Sequence, residues 1–555
     1  PQTCLQAVVT SDVAALQPGE QQATWLLAAD GAPITRAIVE AGQGEYLLHV
    51  EQNSQRAAAW LRLISDGFAL HDTADVYAKV PGPVDVQIVG DADPSRFKVD
   101  VRADWSANGT GYAANKAYFA GINGANYAGP VGQPLPRFEW PEEEEGGSKT
   151  TPIHSLHREL GAKMAPFAGY DMPLWYSSVT DEHHAVRKGA GIFDVSHMGV
   201  FDIKGPGALE FLDMVTTNDL HSLDVGMSHY TYFLDVDGIP IDDLMIYRMA
   251  EDHYLIVVNA SNNDKNWAWL NAVKNGEVMI DPANPGRRLT GERFVLRDLR
   301  DPAHGADQRV DIALQGPQSK QILLSLGGSD ADKAKVSGLP WAGITHVNLG
   351  GYDLIVSRTG YTGERIAYEL FVHPDRALEF FKALTAAGAV PCGLASRDSL
   401  RTEAGLPLYG HELAGFLNLN PADAGFGNYL KLQKPFFVGK QAFVTRERDR
   451  DAEIARFRLE NKGARPPHQG DPIVDKRGRV VGIVTSCSID SEGYQLGQAY
   501  LKDGANTEGT PIAIFCGSAR AKADKTLGSL GLGDKVTVPE PAVVLSRFPS
   551  KKSAQ

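Results

Sequence analysis

Asp242 and Asp243 stand at the start of a strand-like run, directly after the turn Gly238–Ile–Pro240–Ile241. Successive strand residues face opposite sides, so one carboxylate can point into a cleft while the other points to solvent or caps the turn. A buried ionised Asp is costly without a partner. Beside a ligand N–H it becomes a hydrogen-bond or proton acceptor. A second, altered copy of the same stretch lies upstream and gives the pair its interest. Val9 to Gly19 reads against Val215 to Gly226, Asp30–Gly31–Ala–Pro33–Ile34 against Asp237–Gly238–Ile–Pro240–Ile241, and Trp60–Leu61 against Trp269–Leu270. After one inserted residue in the first match, the offset holds at 207 to 209 residues (238 minus 31; 269 minus 60). Within this frame Thr35–Arg36 occupies the place of Asp242–Asp243, so one copy is expected to work and the other not.

Other candidate groups cluster downstream of Asp243 or just before it. Ser357–Arg358–Thr359–Gly360–Tyr361–Thr362–Gly363–Glu364 is a Gly-punctuated turn with Tyr, Thr and Glu, suited to reading a heteroaromatic ring, and Glu369 follows on the next strand. Ser396 to Glu403 reads as a helix with Arg397 and Arg401 one turn apart. Each Arg can pair internally with Asp398 and Glu403 or hold a ligand carboxylate. Phe193–Asp194–Val–Ser196–His197–Met198–Gly199 is a third distinctive segment. In it His197 reads as a packing residue rather than a base.

These groups need elements to hold them. Glu182 to Phe193 reads as a helix closed by glycine before a strand. Tyr230 to Leu234, Leu244 to Tyr247 and Tyr254 to Val258 read as strands, the first two joined around Asp237–Gly238. Asp375 to Ala387 is helical, with Ala377, Leu378, Phe381 and Leu384 on one face. Four short strands after Ile454, between Gly-rich turns, predict a small antiparallel barrel, so the class is α+β with a β tail. Pro134 to Ser148, Pro-rich then acidic then Gly-Gly-Ser, reads as a solvated linker. The first copy is compressed: Lys116–Ala–Tyr118–Phe119–Ala–Gly121 resembles Lys434 to Gly439, and 111 residues (Thr10 to Gly121) stand against 222 (Thr217 to Gly439). The domains expected are 1–133, a partial degenerate copy; 134–150, the linker; 151–445, the complete copy; and 453–548, the barrel. The chain opens without Met inside the first repeat, so upstream material is expected to be missing.

The 555 residues are 43% hydrophobic and 22% charged, ordinary for a globular protein, and no run approaches a membrane span. A formal charge of −14 argues against a broad nucleic-acid surface. Cys4, Cys392, Cys487 and Cys516 are scattered without metal-ligand spacing. They read as reduced thiols of an intracellular protein, and no metal site is expected.

Taken with Gly161 to Pro173, Leu314–Gln315–Gly316–Pro317 and Ile241 to Leu244, these segments resemble the aminomethyltransferase (T-protein) family of the glycine cleavage system. The resemblance runs from Thr151 to about Phe548. It implies a three-domain cloverleaf around a central folate-binding hole, and a cytoplasmic enzyme. That enzyme passes a methylene carbon from an aminomethyl-lipoyl carrier protein to tetrahydrofolate and releases ammonia. It implies Asp243 as the catalytic residue and Met198, Tyr230, Asn259, Tyr361, Glu369 and Arg397 as folate-binding residues. Asp243→Asn is then expected to abolish turnover, and Asp242→Asn to cost much less. The loop after Glu364 lacks the family's Asp–Gly. Tyr409 to Phe416 is less acidic than usual, and the tail Ser546–Arg547–Phe548–Pro549 lacks the aromatic often found there. The alternative reading is a tetrahydrofolate-dependent demethylase of a small N-, S- or O-methyl compound. The first copy resembles the same family reduced to a shell, with a scaffolding or pseudo-enzyme role.

Overall fold

The computed structural model describes residues 1–67, 69–71, 75–97, 120–121, 133–141, 149–289, 293–517, 529, 531–532 and 537–549. Lys116 to Phe119 and the acidic, Gly-rich part of the expected linker lie outside them.

In the unit that begins near Thr151, helix Ala208–Val215 is followed by strands Ser228–Leu234, Pro240–Ala250 and His253–Val258, then helix Asn263–Lys274. With Gly199–Lys204 and Val295–Asp298 the strands form a five-stranded antiparallel sheet. One face alternates Phe233, Ile246, Tyr254 and Ile256, and buries against Phe211, Leu212, Trp269 and Leu270 of the two helices. The opposite face is thereby left for Tyr230, Tyr232, Asp243 and Tyr247. A second sheet runs Ile344–Leu349, Tyr352–Ser357, Ala367–Val372, Val310–Gln315, Gly191–Asp194, Val390–Pro391. Its outer face packs on helix Pro374–Ala386 through Phe380, Phe381 and Leu384. The sheets meet along a seam in which Tyr247, Val257, Ile344 and Phe371 share one core, so their inner faces converge.

The predicted β tail is a closed six-stranded barrel, ordered Ala452–Leu459, Gln495–Lys502, Val480–Ile489, Pro472–Val474, Pro511–Ile514, Glu540–Leu545. It buttresses helix Leu394–Glu403, which also packs on strand Tyr170–Trp175 and helix Val179–Lys188. The glycine stop expected after Glu182 is Gly189.

The first unit runs helix Gln2–Val8, strands Gln21–Leu27, Pro33–Ala41 and Tyr46–Val50, then helix Ser54–Ser65, the same order as around Asp243. Equivalent hydrogen bonds recur. The Thr24 hydroxyl accepts from the Ser11 N–H (3.1 Å), as the Thr231 hydroxyl does from the Asn218 N–H (3.0 Å). The Gln6 side chain accepts from the Val13 N–H (2.7 Å), as the Asp213 side chain does from the Leu220 N–H (3.0 Å). At Gly121 (φ +86°) a Cβ would lie 2.2 Å from the Ala28 carbonyl oxygen. At Gly439 (φ +83°) it would lie 2.3 Å from that of Asp235, so both positions require glycine. The Pro-rich stretch between the units is strapped to the second one. The Leu135 N–H donates to the Pro285 carbonyl (2.9 Å), the Met279 N–H donates to the Pro136 carbonyl (2.8 Å), and Arg137 pairs with Asp237.

Candidate functional site

Register decides the fates of the two Asp residues. In the Ser228–Leu234 hairpin Tyr232 lies opposite Asp243 and Phe233 opposite Asp242, so the carboxylates emerge on opposite faces. Asp242 turns neither to solvent nor to the turn, against the sequence reading. It is fully buried and accepts four N–H bonds: from the Asn259 backbone (3.0 Å), Asn259 Nδ2 (2.8 Å), Asn262 Nδ2 (2.6 Å) and Asn266 Nδ2 (2.6 Å). Asn259, Asn262 and Asn266 fall at intervals of three and four, which brings them to one side of the helical segment that starts there. They supply donors that a buried carboxylate needs.

Asp243 emerges on the inner face and keeps some solvent access. Its Oδ2 accepts from the Tyr230 hydroxyl at 2.7 Å and its Oδ1 from Asn259 Nδ2 at 2.8 Å. Burial, then the Asp242 charge beside it, pushes the Asp243 carboxyl up to about 7. Burial likewise raises Asp242 and, well above the ordinary phenol value, Tyr230. A carboxyl poised near neutrality beside a phenol donor can take up and return a proton at physiological pH.

Across the seam Glu369 accepts from the Tyr247 hydroxyl (2.8 Å) and from the Thr359 hydroxyl. Tyr247 lies four residues beyond Asp243 on the same strand face, and so ties the two clusters together. The Arg397 guanidinium lies over the Tyr361 ring, 5.0 Å from its centroid, and its Nη1 is buried with no hydrogen-bond partner. Tyr361 is held by its hydroxyl on the Pro407 carbonyl. Burial raises the Tyr361 hydroxyl and, to a lesser degree, so does the Asp243 charge. Met198 packs against two cores, one that contains Tyr247 and Phe371 and one that contains Phe193 and Leu400. The structure therefore brings all seven residues singled out from the sequence to one seam. It offers a proton acceptor at one end and, at the other, a carboxylate and a cation with a free donor.

The family described as the GCVT N-terminal domain matches residues 153–434. The chain belongs to this family. An aminomethyltransferase of Halothermothrix orenii is 38% identical over 374 residues, which span 66% of this chain and 95% of that protein. One from Streptomyces avermitilis is 41% identical over 369 residues, 65% of this chain and 91% of its own length. Among solved structures, the glycine cleavage system aminomethyltransferase T of Bartonella henselae superposes with a TM-score of 0.58 at 27% identity. That superposition covers 72% of this chain and 97% of the other.

In this GCVT chain the two helical arginines part company. Arg401 is fully buried and pairs with Asp398 (2.7 Å) and Glu412 (2.7 Å). It also donates to the Ser486 hydroxyl of the barrel (2.7 Å). The sequence reading offered Glu403 as a partner. Glu403 instead holds His183 (2.6 Å), Arg187 (3.1 Å) and Ser491 (2.7 Å). The unusual loop residue Glu412 is thus the counter-ion of a domain lock. Asp194 is similarly structural: it accepts from His157, Thr151 and Ser196, and these bonds outweigh burial and hold it at about 2. His197 is buried against Phe167 and Tyr170, and burial lowers it to about 4, so its ring is neutral, as a packing residue should be. Tyr247, Thr359, Asn262 and Asn266 were not anticipated. The asparagine spacing and the two-residue strand period would have found the last two and Tyr247. Among the described residues, no group of three or more His, Cys, Asp or Glu could hold a metal ion, and no helix is long and apolar enough to cross a membrane.

Proposed function

We propose that this chain is the tetrahydrofolate-dependent aminomethyltransferase of glycine cleavage. It moves the methylene carbon of an aminomethyl-lipoyl carrier protein to tetrahydrofolate with release of ammonia. The observation that carries the reading is the joint placement of Asp243, Glu369 and the unpartnered Arg397 Nη1 on one seam. The neighbouring residues fit a folate: Glu369 accepts ring N–H donors, Tyr361 and Met198 give flat apolar contact, and Arg397 has a spare donor for a carboxylate or carbonyl. Tetrahydrofolate would supply the amine nucleophile. Asp243 Oδ would take the proton that the amine sheds, with Tyr230 and Asn259 fixing the carboxylate against rotation, and Asp242 anchoring Asn259. Positioning and charge account for the catalysis, as expected when the cofactor carries the reactive atom.

A three-domain cloverleaf with its hole at the seam accords with the two sheets and the barrel. We read residues 1–133 as a degenerate copy joined through 134–150 to the working domain at 151–445, with the barrel at 453–548. There Arg36 stands in the place of Asp243, 3.4 Å from Glu51 and 4.7 Å from the Phe97 centroid, and a guanidinium cannot accept a proton. This supports a scaffolding role. A lipoyl carrier as partner and a cytoplasmic location complete the reading.

The test supplies tetrahydrofolate with aminomethylated lipoyl carrier or with a panel of methylated amines, thioethers and ethers. Ammonia and the 5,10-methylene product, formed only with carrier, are expected. A 5-methyl product formed without carrier would replace this reading with the demethylase.

A further inference from the structure

Asp311 has no place in the site as described, yet it lies against it. Strand Val310–Gln315 pairs with Ala367–Val372 so that Ala313 faces Glu369 and Asp311 faces Phe371. With a two-residue period, Asp311 and Glu369 are diagonal neighbours on the inner face, while Ile312 and Leu314 enter the core under helix Pro374–Ala386. The Asp311 side chain has no exposure, and neither of its carboxyl oxygens has a hydrogen-bond partner. The charged and titratable groups around it are Glu369, Arg397 and the Tyr247 hydroxyl. Burial first, then the Glu369 charge, drives its proton affinity well above the ordinary carboxylate range, against the pull of Arg397, and so favours the neutral form.

A neutral carboxyl buried with nothing to bond is an unfavourable feature that a leucine would remove. The free Nη1 of Arg397 beside it has the same character. Two unsatisfied groups flanking one satisfied carboxylate are complementary to a ligand edge of alternating donors and acceptors. A pterin-type ring presents two N–H donors next to a carbonyl. A carboxylate can serve the donors only, whereas a protonated carboxyl can donate to the carbonyl.

We propose that Asp311 is a further ring-reading residue: its carboxyl O–H donates to the carbonyl on the ring edge whose N–H groups Glu369 accepts. The proposal rests on the folate reading above.

Calorimetry on the full chain would measure tetrahydrofolate binding. Asp311→Leu is expected to bind tetrahydrofolate about 10-fold more weakly, with a melting temperature equal to or above that of the unaltered protein. Asp311→Asn carries a donor and an acceptor that can exchange places. The protonated carboxyl carries the same pair, so this variant should hold tetrahydrofolate within about 3-fold. Unchanged affinity in Asp311→Leu overturns the proposal. If that variant is destabilised, the Asn variant decides, and a loss of affinity in it as large as in Asp311→Leu overturns the proposal. Failure of the unaltered protein to bind tetrahydrofolate, or no effect of Glu369→Gln, instead removes the folate reading itself and the Asp311 proposal with it.

Discussion

Adjacent substitutions at 242 and 243 should move stability in opposite directions. The Asp243 carboxyl rises from 3.8 to about 7 in the folded chain, roughly 3 units at about 1.4 kcal/mol each, or about 4 kcal/mol against the ionised form. Its partial access to solvent and the loss of one of the two acceptor oxygens that serve Tyr230 and Asn259 reduce the net gain from Asp243→Asn to about 2 kcal/mol. The sign follows from the raised value: the ionised group costs stability in full above about pH 7, and the cost disappears as pH falls toward 3.8. Asp243→Asn should therefore melt about 4–8 °C above the unaltered protein at pH 8 and level with it near pH 4. Asp242→Asn should do the reverse. Its carboxylate accepts four N–H bonds, and an amide there presents donors to donors, costing about 2–4 kcal/mol and loosening Asn259. Thermal melts of the three proteins from pH 4 to 8 provide the measurement. Equal destabilisation by both substitutions, or a gap for Asp243→Asn that does not close on acidification, would refute the charge argument. The sequence expectation that Asp242→Asn is the milder change concerned turnover; for stability this geometry makes it the more damaging one.

Arg397→Leu should weaken tetrahydrofolate binding by about 10- to 100-fold in calorimetry while leaving the melting temperature within a few degrees, because its Nη1 bonds nothing in the protein. Arg401→Met should destabilise by about 3–5 kcal/mol by leaving Glu412 buried and unpaired, and Arg401→Met with Glu412→Leu should recover most of the loss in denaturant unfolding.

The elements and most of the seam were legible because short-range patterns encode them. The alternation from Tyr230 to Val258 sets which side of the sheet each residue takes, and comparison with the upstream stretch holding Thr35–Arg36 marked the pair Asp242–Asp243 as the point of difference. What escaped was pairing across long separations. Nothing local tells that Arg401 meets Glu412 and a barrel serine, or that Glu403 turns to His183. Of the acids nearby only Asp398 stands at helical spacing, from Arg401, and packing of the barrel and its neighbouring loop supplies the other partners. Asp242 was misplaced because a strand start is ordinarily wet. Here three asparagines hold it, and their spacing places them on one side of a helical segment without saying which carboxylate they serve. Asp311 is invisible in sequence, since a lone Asp in an apolar strand gives no hint of what lies diagonal to it.

The central claim is that Asp243 moves a proton during aminomethyl transfer. Turnover with aminomethylated lipoyl carrier and saturating tetrahydrofolate, followed by ammonia release from pH 5.5 to 8.5, tests it most directly. The unaltered protein should gain rate about tenfold per pH unit on the acid side and level off above about pH 7. Asp243→Asn should bind the folate, show no such limb, and turn over about 10²–10⁴-fold more slowly. A variant that keeps the limb, or keeps the rate, contradicts the account.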